Sequence, residues 1–165
     1  MTENILAKLF VHNNWANGQI IQACSSLSDD QLDTPPQSAT EGSIRSTLLH
    51  LVSAQSSYLR LLTLPLEERQ DRVTVEFAEI QESLKNSGER LLELAKDQSK
   101  LPATRIQTRD GYHVEPWVIM VQIINHATEH REQIKSMLTA MGITPPSIDG
   151  WDYGEVANAL IPISK

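Results

Sequence analysis

Pro116-Trp117-Val118-Ile119-Met120-Val121-Gln122-Ile123-Ile124-Asn125-His126-Ala127-Thr128-Glu129-His130-Arg131-Glu132-Gln133-Ile134-Lys135-Ser136-Met137-Leu138-Thr139-Ala140-Met141-Gly142 is the stretch on which the fold turns. Trp117, Met120, Val121, Ile124, Ala127, Ile134, Leu138 and Met141 recur at helical spacing. Pro116 suits the first position of a helix, where its missing N–H costs nothing. Gly142 is the expected stop, with Pro145 and Pro146 beyond it. His126 and His130 are four apart, so both rings lie on one face, one turn apart. Two imidazoles so placed can grip one metal ion. Ile119, Ile123, Ile134 and Met137 share their stripe, so this face is expected to be partly enclosed. Enclosed ring nitrogens need partners. A metal would satisfy one on each ring; the competing reading is hydrogen bonding to carbonyls or waters, with Gln122 and Gln133 as neighbours.

Three further segments carry the same period. Ile5, Leu6, Leu9, Phe10, Ala16, Ile20, Cys24 and Leu27 form one stripe, interrupted by a polar gap at Asn13 and Asn14, with Thr2 as candidate N-cap. Ser28-Asp29-Asp30-Gln31 has the form of a capping box before a short turn that Pro35 and Pro36 end. A second long helix is expected from Ser43, with Ile44, Leu48, Leu51, Gln55, Tyr58 and Leu62 inward and Pro65 as its end. A third is expected from Thr74, with Phe77, Ile80, Leu84, Leu91 and Ala95 inward and Gly88 as a weak point. Between Arg105 and Glu115 the pattern changes. Asp110-Gly111 between β-prone residues predicts a two-stranded hairpin. Trp151, Tyr153, Leu160 and Ile161 predict a C-terminal tail packed back on the helices. The expected class is all-α: an antiparallel four-helix bundle with a short β-hairpin before the last long helix, formed by one domain over residues 1–165.

The chain has 165 residues, enough to bury a core without staples. Its net charge of −7, with no Lys/Arg cluster in the sequence, argues against nucleic acid as a partner, because phosphate-backbone binding draws on cations. No apolar run approaches the ~20 residues that span a bilayer. Met1-Thr2-Glu3-Asn4 lacks the basic and apolar regions of a signal peptide, and Cys24 has no second cysteine to pair with. A cytoplasmic protein away from membranes is the expectation. Cys24 itself reads as a small core residue.

His50 sits in Leu48-Leu49-His50-Leu51-Val52, on the flank of an apolar stripe. Alone, such a residue reads as a satisfied core or boundary group. Bundle cores, however, build metal sites from facing helices, and one ligand from the second long helix plus a pair from the last makes three. The blocks Asn13-Asn14-Trp15-Ala16-Asn17, Gly42-Ser43-Ile44-Arg45-Ser46-Thr47-Leu48-Leu49-His50-Leu51, Asn125-His126-Ala127-Thr128-Glu129-His130-Arg131-Glu132-Gln133-Ile134, and Gly142-Ile143-Thr144-Pro145-Pro146 with Asp149 span nearly the whole chain. Together they resemble the DinB/YfiT-like superfamily of damage-inducible four-helix bundles. The resemblance implies metal ligation by His50, His126 and His130. It departs from the family at Glu132, where many relatives carry glycine.

Three neutral imidazoles would leave a divalent ion, zinc or nickel, its full charge and an open position. The reacting group would then be a metal-bound water or thiolate. The resemblance points to transfer of a low-molecular-weight thiol, as co-substrate, to an electrophile. Hydrolysis is the alternative, weakened because Glu129 points about 100° from His130 around the helix. A non-catalytic stress-related binding protein is the third reading, with no metal or with a structural one whose fourth position a protein group such as Asp149 would fill. Trp15, Asn17 and Tyr153 are candidate substrate contacts, with packing as the competing role for Trp15 and Trp151. His12 and His113 read as surface residues, His12 at the mouth of a pocket. The resemblance also implies that a homodimer forms in some relatives, without identifying a face here.

Overall fold

In the computed structural model, residues 4–36, 42–69 and 74–163 are described. Four long helices pack together: α1 (Ile5–Cys24), α3 (Ile44–Thr63), α4 (Ile80–Lys96) and α5 (Pro116–Ala140). Two short ones are α2 (Asp29–Leu32) and α6 (Gly150–Val156), and a two-stranded hairpin pairs β1 (Ile106–Gln107) with β2 (His113–Val114). Among the described residues no helix is long and apolar enough to cross a membrane.

Local chemistry sets most boundaries. Ser43 caps α3 by accepting from Ser46 N–H, Ser28 and Gln31 form a reciprocal capping box on α2, and Pro116 opens α5. Gly142 closes α5 at φ +72°, and Gly111 turns the hairpin at φ +94°, both in the left-handed region that suits glycine. Thr2 lies outside the described residues; α1 is capped by Asn4, whose Oδ1 accepts from Ala7 N–H while its Nδ2 donates to Ala95 O. That second bond ties the start of α1 to the end of α4, so these helices are antiparallel. The expected third long helix starts later than Thr74: a 3-10 turn at Phe77–Glu79 leads into α4 at Ile80.

The core has two adjoining halves. One joins Ile20, Cys24, Ile44, Leu48, Val52, Ile80, Leu84, Ile134 and Leu138. The other joins Phe10, Leu59, Leu62, Leu91, Ala95, Ile119, Met120 and Ile123. The numbering in each half fixes the directions: α1 and α5 run one way, α3 and α4 the other. The contacts α1–α4 and α3–α5 are therefore antiparallel, and the connection after α3 returns along the bundle. Gly88 is explained by close approach, since a Cβ there would lie 2.7 Å from Asn14 Oδ1. Asn14 Nδ2 also donates to Gly88 O at 2.9 Å.

Two expectations about faces need correction. Trp117 and Val121 are 63% and 47% exposed, whereas Ile119 and Ile123 are buried. The first two turns of α5 are apolar all round, so spacing alone could not orient them. In the tail, Ile148 is buried and Tyr153 is half-buried, but Trp151 is 75% and Ile161 86% exposed. The tail meets the bundle through Ile148 and Tyr153, while the Leu160 side chain lies against Gly154 within the tail itself.

Candidate metal centre

His50 lies on the α5-facing flank of α3. Leu48, Leu51 and Val52 go into the core and turn it toward the groove between the two helices. His126 and His130 come from α5, one turn apart, with His130 buried and the other two half-buried. His50 Nε2 is 3.0 Å from His126 Nε2, and His126 Nε2 is 3.2 Å from His130 Nε2. The three nitrogens all lie within 4.8 Å of one another, and among the described residues no carboxylate or thiol joins them.

This donor set suits a cation better than a proton network. His130 Nδ1 lies 2.9 Å from Gln133 Oε1, an acceptor, so Nδ1 carries the proton and Nε2 presents a lone pair. His126 Nε2 then meets His130 only by donating, and one N–H cannot point well at both His130 and His50. If His126 instead accepts from His50, two lone pairs face each other across 3.2 Å. A tetrahedral ion removes the conflict: nitrogens about 2.0–2.1 Å from zinc lie roughly 3.3 Å apart, close to the spacing found. The cluster could hold a metal ion.

Tyr58, expected only as an inward residue, stands edge-on to His126 with centroids 5.7 Å apart, so α3 supplies an aromatic wall as well as a histidine of the cluster. Asp149 is engaged elsewhere: its Oδ1 accepts from Trp151 and Asp152 N–H and caps α6. Glu129 is exposed and outside the histidine group. Trp15 and Tyr153 pack at a tilt with centroids 5.2 Å apart, and both rings meet His12. His12 is half-buried, with Nε2 3.0 Å from Ile148 O, so it fastens the tail to α1 as no surface histidine would. His113 is exposed, as expected. Asn17 is fully enclosed, and its amide bonds Gln55 Oε1 and Arg131.

The largest feature missed in the sequence is Arg131, the residue after His130. It is 3% exposed. Its NH1 donates to Asn13 Oδ1 at 2.7 Å and Asn17 Oδ1 at 2.6 Å, and its NH2 to Thr128 Oγ1 at 2.9 Å. Gln55 continues the network to Ser87 Oγ and Leu84 O on α4. Burial pushes the guanidinium down to about 10, with the nearby Glu132 charge opposing, so it stays charged at neutral pH. Asn13 Nδ2 is buried without a hydrogen-bond partner. The signal was present: a polar gap in the stripe of α1 and an arginine beside the core face of α5 are two halves of one buried polar layer.

Three imidazoles that converge from two facing helices of a bundle could hold a metal ion between them. The DinB family matches residues 1–162, and the chain belongs to that family. No curated protein matches it.

Proposed function

We propose that the protein is a divalent-metal-dependent enzyme that transfers a low-molecular-weight thiol to an electrophile, with zinc or nickel on His50, His126 and His130. The observation that carries this reading is the count of donors. Three imidazoles converge with no fourth His, Cys, Asp or Glu among the described residues, whereas structural zinc sites are closed by four protein ligands. The ion would supply Lewis-acid chemistry, stabilising the anion of a thiol in its open position. The thiol proton leaves to solvent, the sulfur forms a bond to carbon of the electrophile, and the leaving group departs with its electron pair.

The chain's own residues arrange this. Gln133 holds the proton of His130 on Nδ1 and keeps the lone pair on Nε2. Tyr58 walls one side against His126. The Arg131 network pins the ligand-bearing turn of α5 to α1, so His126 and His130 sit on a fixed backbone. Hydrolysis is less well supported because no carboxylate joins the group to move a proton. Trp15 and Tyr153 form an aromatic pair at the tail, where they suit a substrate's apolar portion only if it extends beyond the histidines.

The test begins with metal content. Untagged wild type should carry about one zinc or nickel per chain, and His126→Ala should lose it. Loaded wild type should then consume thiol in the presence of an alkyl electrophile. Wild type that retains no metal after zinc or nickel is added and dialysed away would sink the proposal.

A further inference from the structure

Beside the hairpin lies a cavity of about 380 Å³, lined by Ser57, Arg60, Leu61, Arg69, Thr108, Arg109 and Asp110. It gathers three arginines in a chain whose net charge is −7. Among the described residues of its lining, Asp110 is the one acid beside the three arginines.

The arginines are not equivalent. Arg69 is built into the wall: its Nε donates to Leu64 O at 2.9 Å and its NH1 to Gln107 O at 2.6 Å. Arg109 reaches back from the hairpin tip and donates to Arg69 O. These bonds fix the hairpin against the end of α3. Among the described residues none hydrogen-bonds or ion-pairs with the half-buried Arg60 guanidinium. A half-buried cation that makes no ion pair with a described residue, beside two arginines that donate to backbone carbonyls, is suited to an anion.

The position of the cavity gives it a purpose. His50, Ala54, Ser57 and Leu61 are spaced by four, three and four residues, which places them on one stripe of α3. His50 is therefore at one end of a surface track and the cavity at the other. At 1.5 Å per residue, Ser57 is about 10 Å and Leu61 about 16 Å along the helix from His50. Tyr58 on the flank of that track meets His126 with its ring.

We propose that this arginine cavity binds an acidic group, carboxylate or phosphate, of the molecule whose reactive end sits at the histidine centre. The substrate or thiol is thus an acid with about 10–16 Å between its reacting atom and its anionic group. This rests on the reading of the histidine centre as a substrate site, and the test separates the two.

First, the metal-free protein is titrated with inorganic phosphate and with succinate at constant ionic strength, following the backbone amide signals of Thr108, Arg109 and Asp110. Saturable shifts at these amides are expected in wild type and in His126→Ala, and Arg60→Gln should weaken binding about tenfold. Whichever anion binds more tightly identifies the acidic group. Second, zinc-loaded protein is titrated with mercaptoundecanoic acid, with mercaptoundecanol of equal chain length, and with mercaptopropionic acid. The long acid should bind about tenfold more tightly than the long alcohol, and Arg60→Gln should remove that difference while leaving mercaptopropionic acid unaffected. Equal binding of long acid and long alcohol, or anion shifts that survive Arg60→Gln, would overturn the proposal. Anion binding at the hairpin without binding of any thiol would leave the cavity an anion site. It would overturn both the link to the histidines and the proposed chemistry.

Discussion

His130 and Gln133 are joined by a 2.9 Å hydrogen bond from Nδ1–H to Oε1, three residues apart on one helix. The bond decides which ring nitrogen faces the groove. Removing it frees the ring to turn and to exchange tautomers, while all three histidines remain. Gln133→Leu is therefore expected to keep the fold and to weaken metal binding by roughly 10–100-fold, the usual effect of losing a partner behind a ligand. Competition against a chelator of known zinc affinity measures it. An unchanged affinity would mean that packing alone orients His130.

The buried Arg131 carries its charge with amide and hydroxyl oxygens as acceptors, beside an Asn13 Nδ2 that has none. Asn13→Asp is nearly isosteric, deletes the orphaned donor and supplies a carboxylate to the guanidinium. Neutral hydrogen bonds become charge-assisted ones, so urea unfolding at neutral pH should show a gain of about 1–2 kcal/mol. A loss instead would show that desolvating the new carboxylate outweighs its pairing.

That network also marks how far the sequence could be read. Helix ends and the hairpin turn were legible where one residue controls them: Ser43, Pro116, Gly111 and Gly142 act through a hydroxyl, a ring or a missing Cβ. The pairing of His126 with His130 was legible because four residues make one turn. Joining Asn13 to Arg131 required knowing that α1 and α5 run parallel and adjacent, which no local pattern encodes. The facing of Trp117 and Val121 was misread for a related reason, since an evenly apolar turn has no periodic signal. The clustering of Arg60, Arg69 and Arg109 depends on the hairpin folding back against the end of α3, and spacing along the chain carries no trace of it.

Cys24 is buried at the end of α1, and burial pushes its thiol up to about 11. The reactive species is the thiolate. At pH 8 its fraction in the folded state is then on the order of one in a thousand, and the side chain is enclosed as well. Native protein should react with a disulfide reagent only slowly, and the rate should rise toward that of a free thiol once urea unfolds the chain. Full reaction within the mixing time at pH 8 in the native state would contradict the packing described. The slow outcome also separates Cys24 from the proposed chemistry, leaving sulfur transfer to an external thiol.

Asp149 caps α6, and its carboxyl is held below the ordinary value. The hydrogen bonds from Asp152, backbone first, contribute most, and the Trp151 N–H and the Lys135 charge add to them. The sign follows from linkage: a group with a depressed folded pKa binds fewer protons folded than unfolded. Its stabilising effect is fully present above the unfolded aspartate value near ~4 and is lost as pH falls through the lower folded value. Amide exchange across Gly150–Val156 should therefore be protected at pH 6 and accelerate, relative to α3 and α5, as the solution is acidified below about pH 4. Asp149→Ala should show the accelerated exchange already at pH 6, with metal content unchanged, because the carboxylate caps a helix and stands apart from the three histidines. A loss of metal in that variant would instead return Asp149 to the ligand set and close the open position on which the proposed chemistry depends.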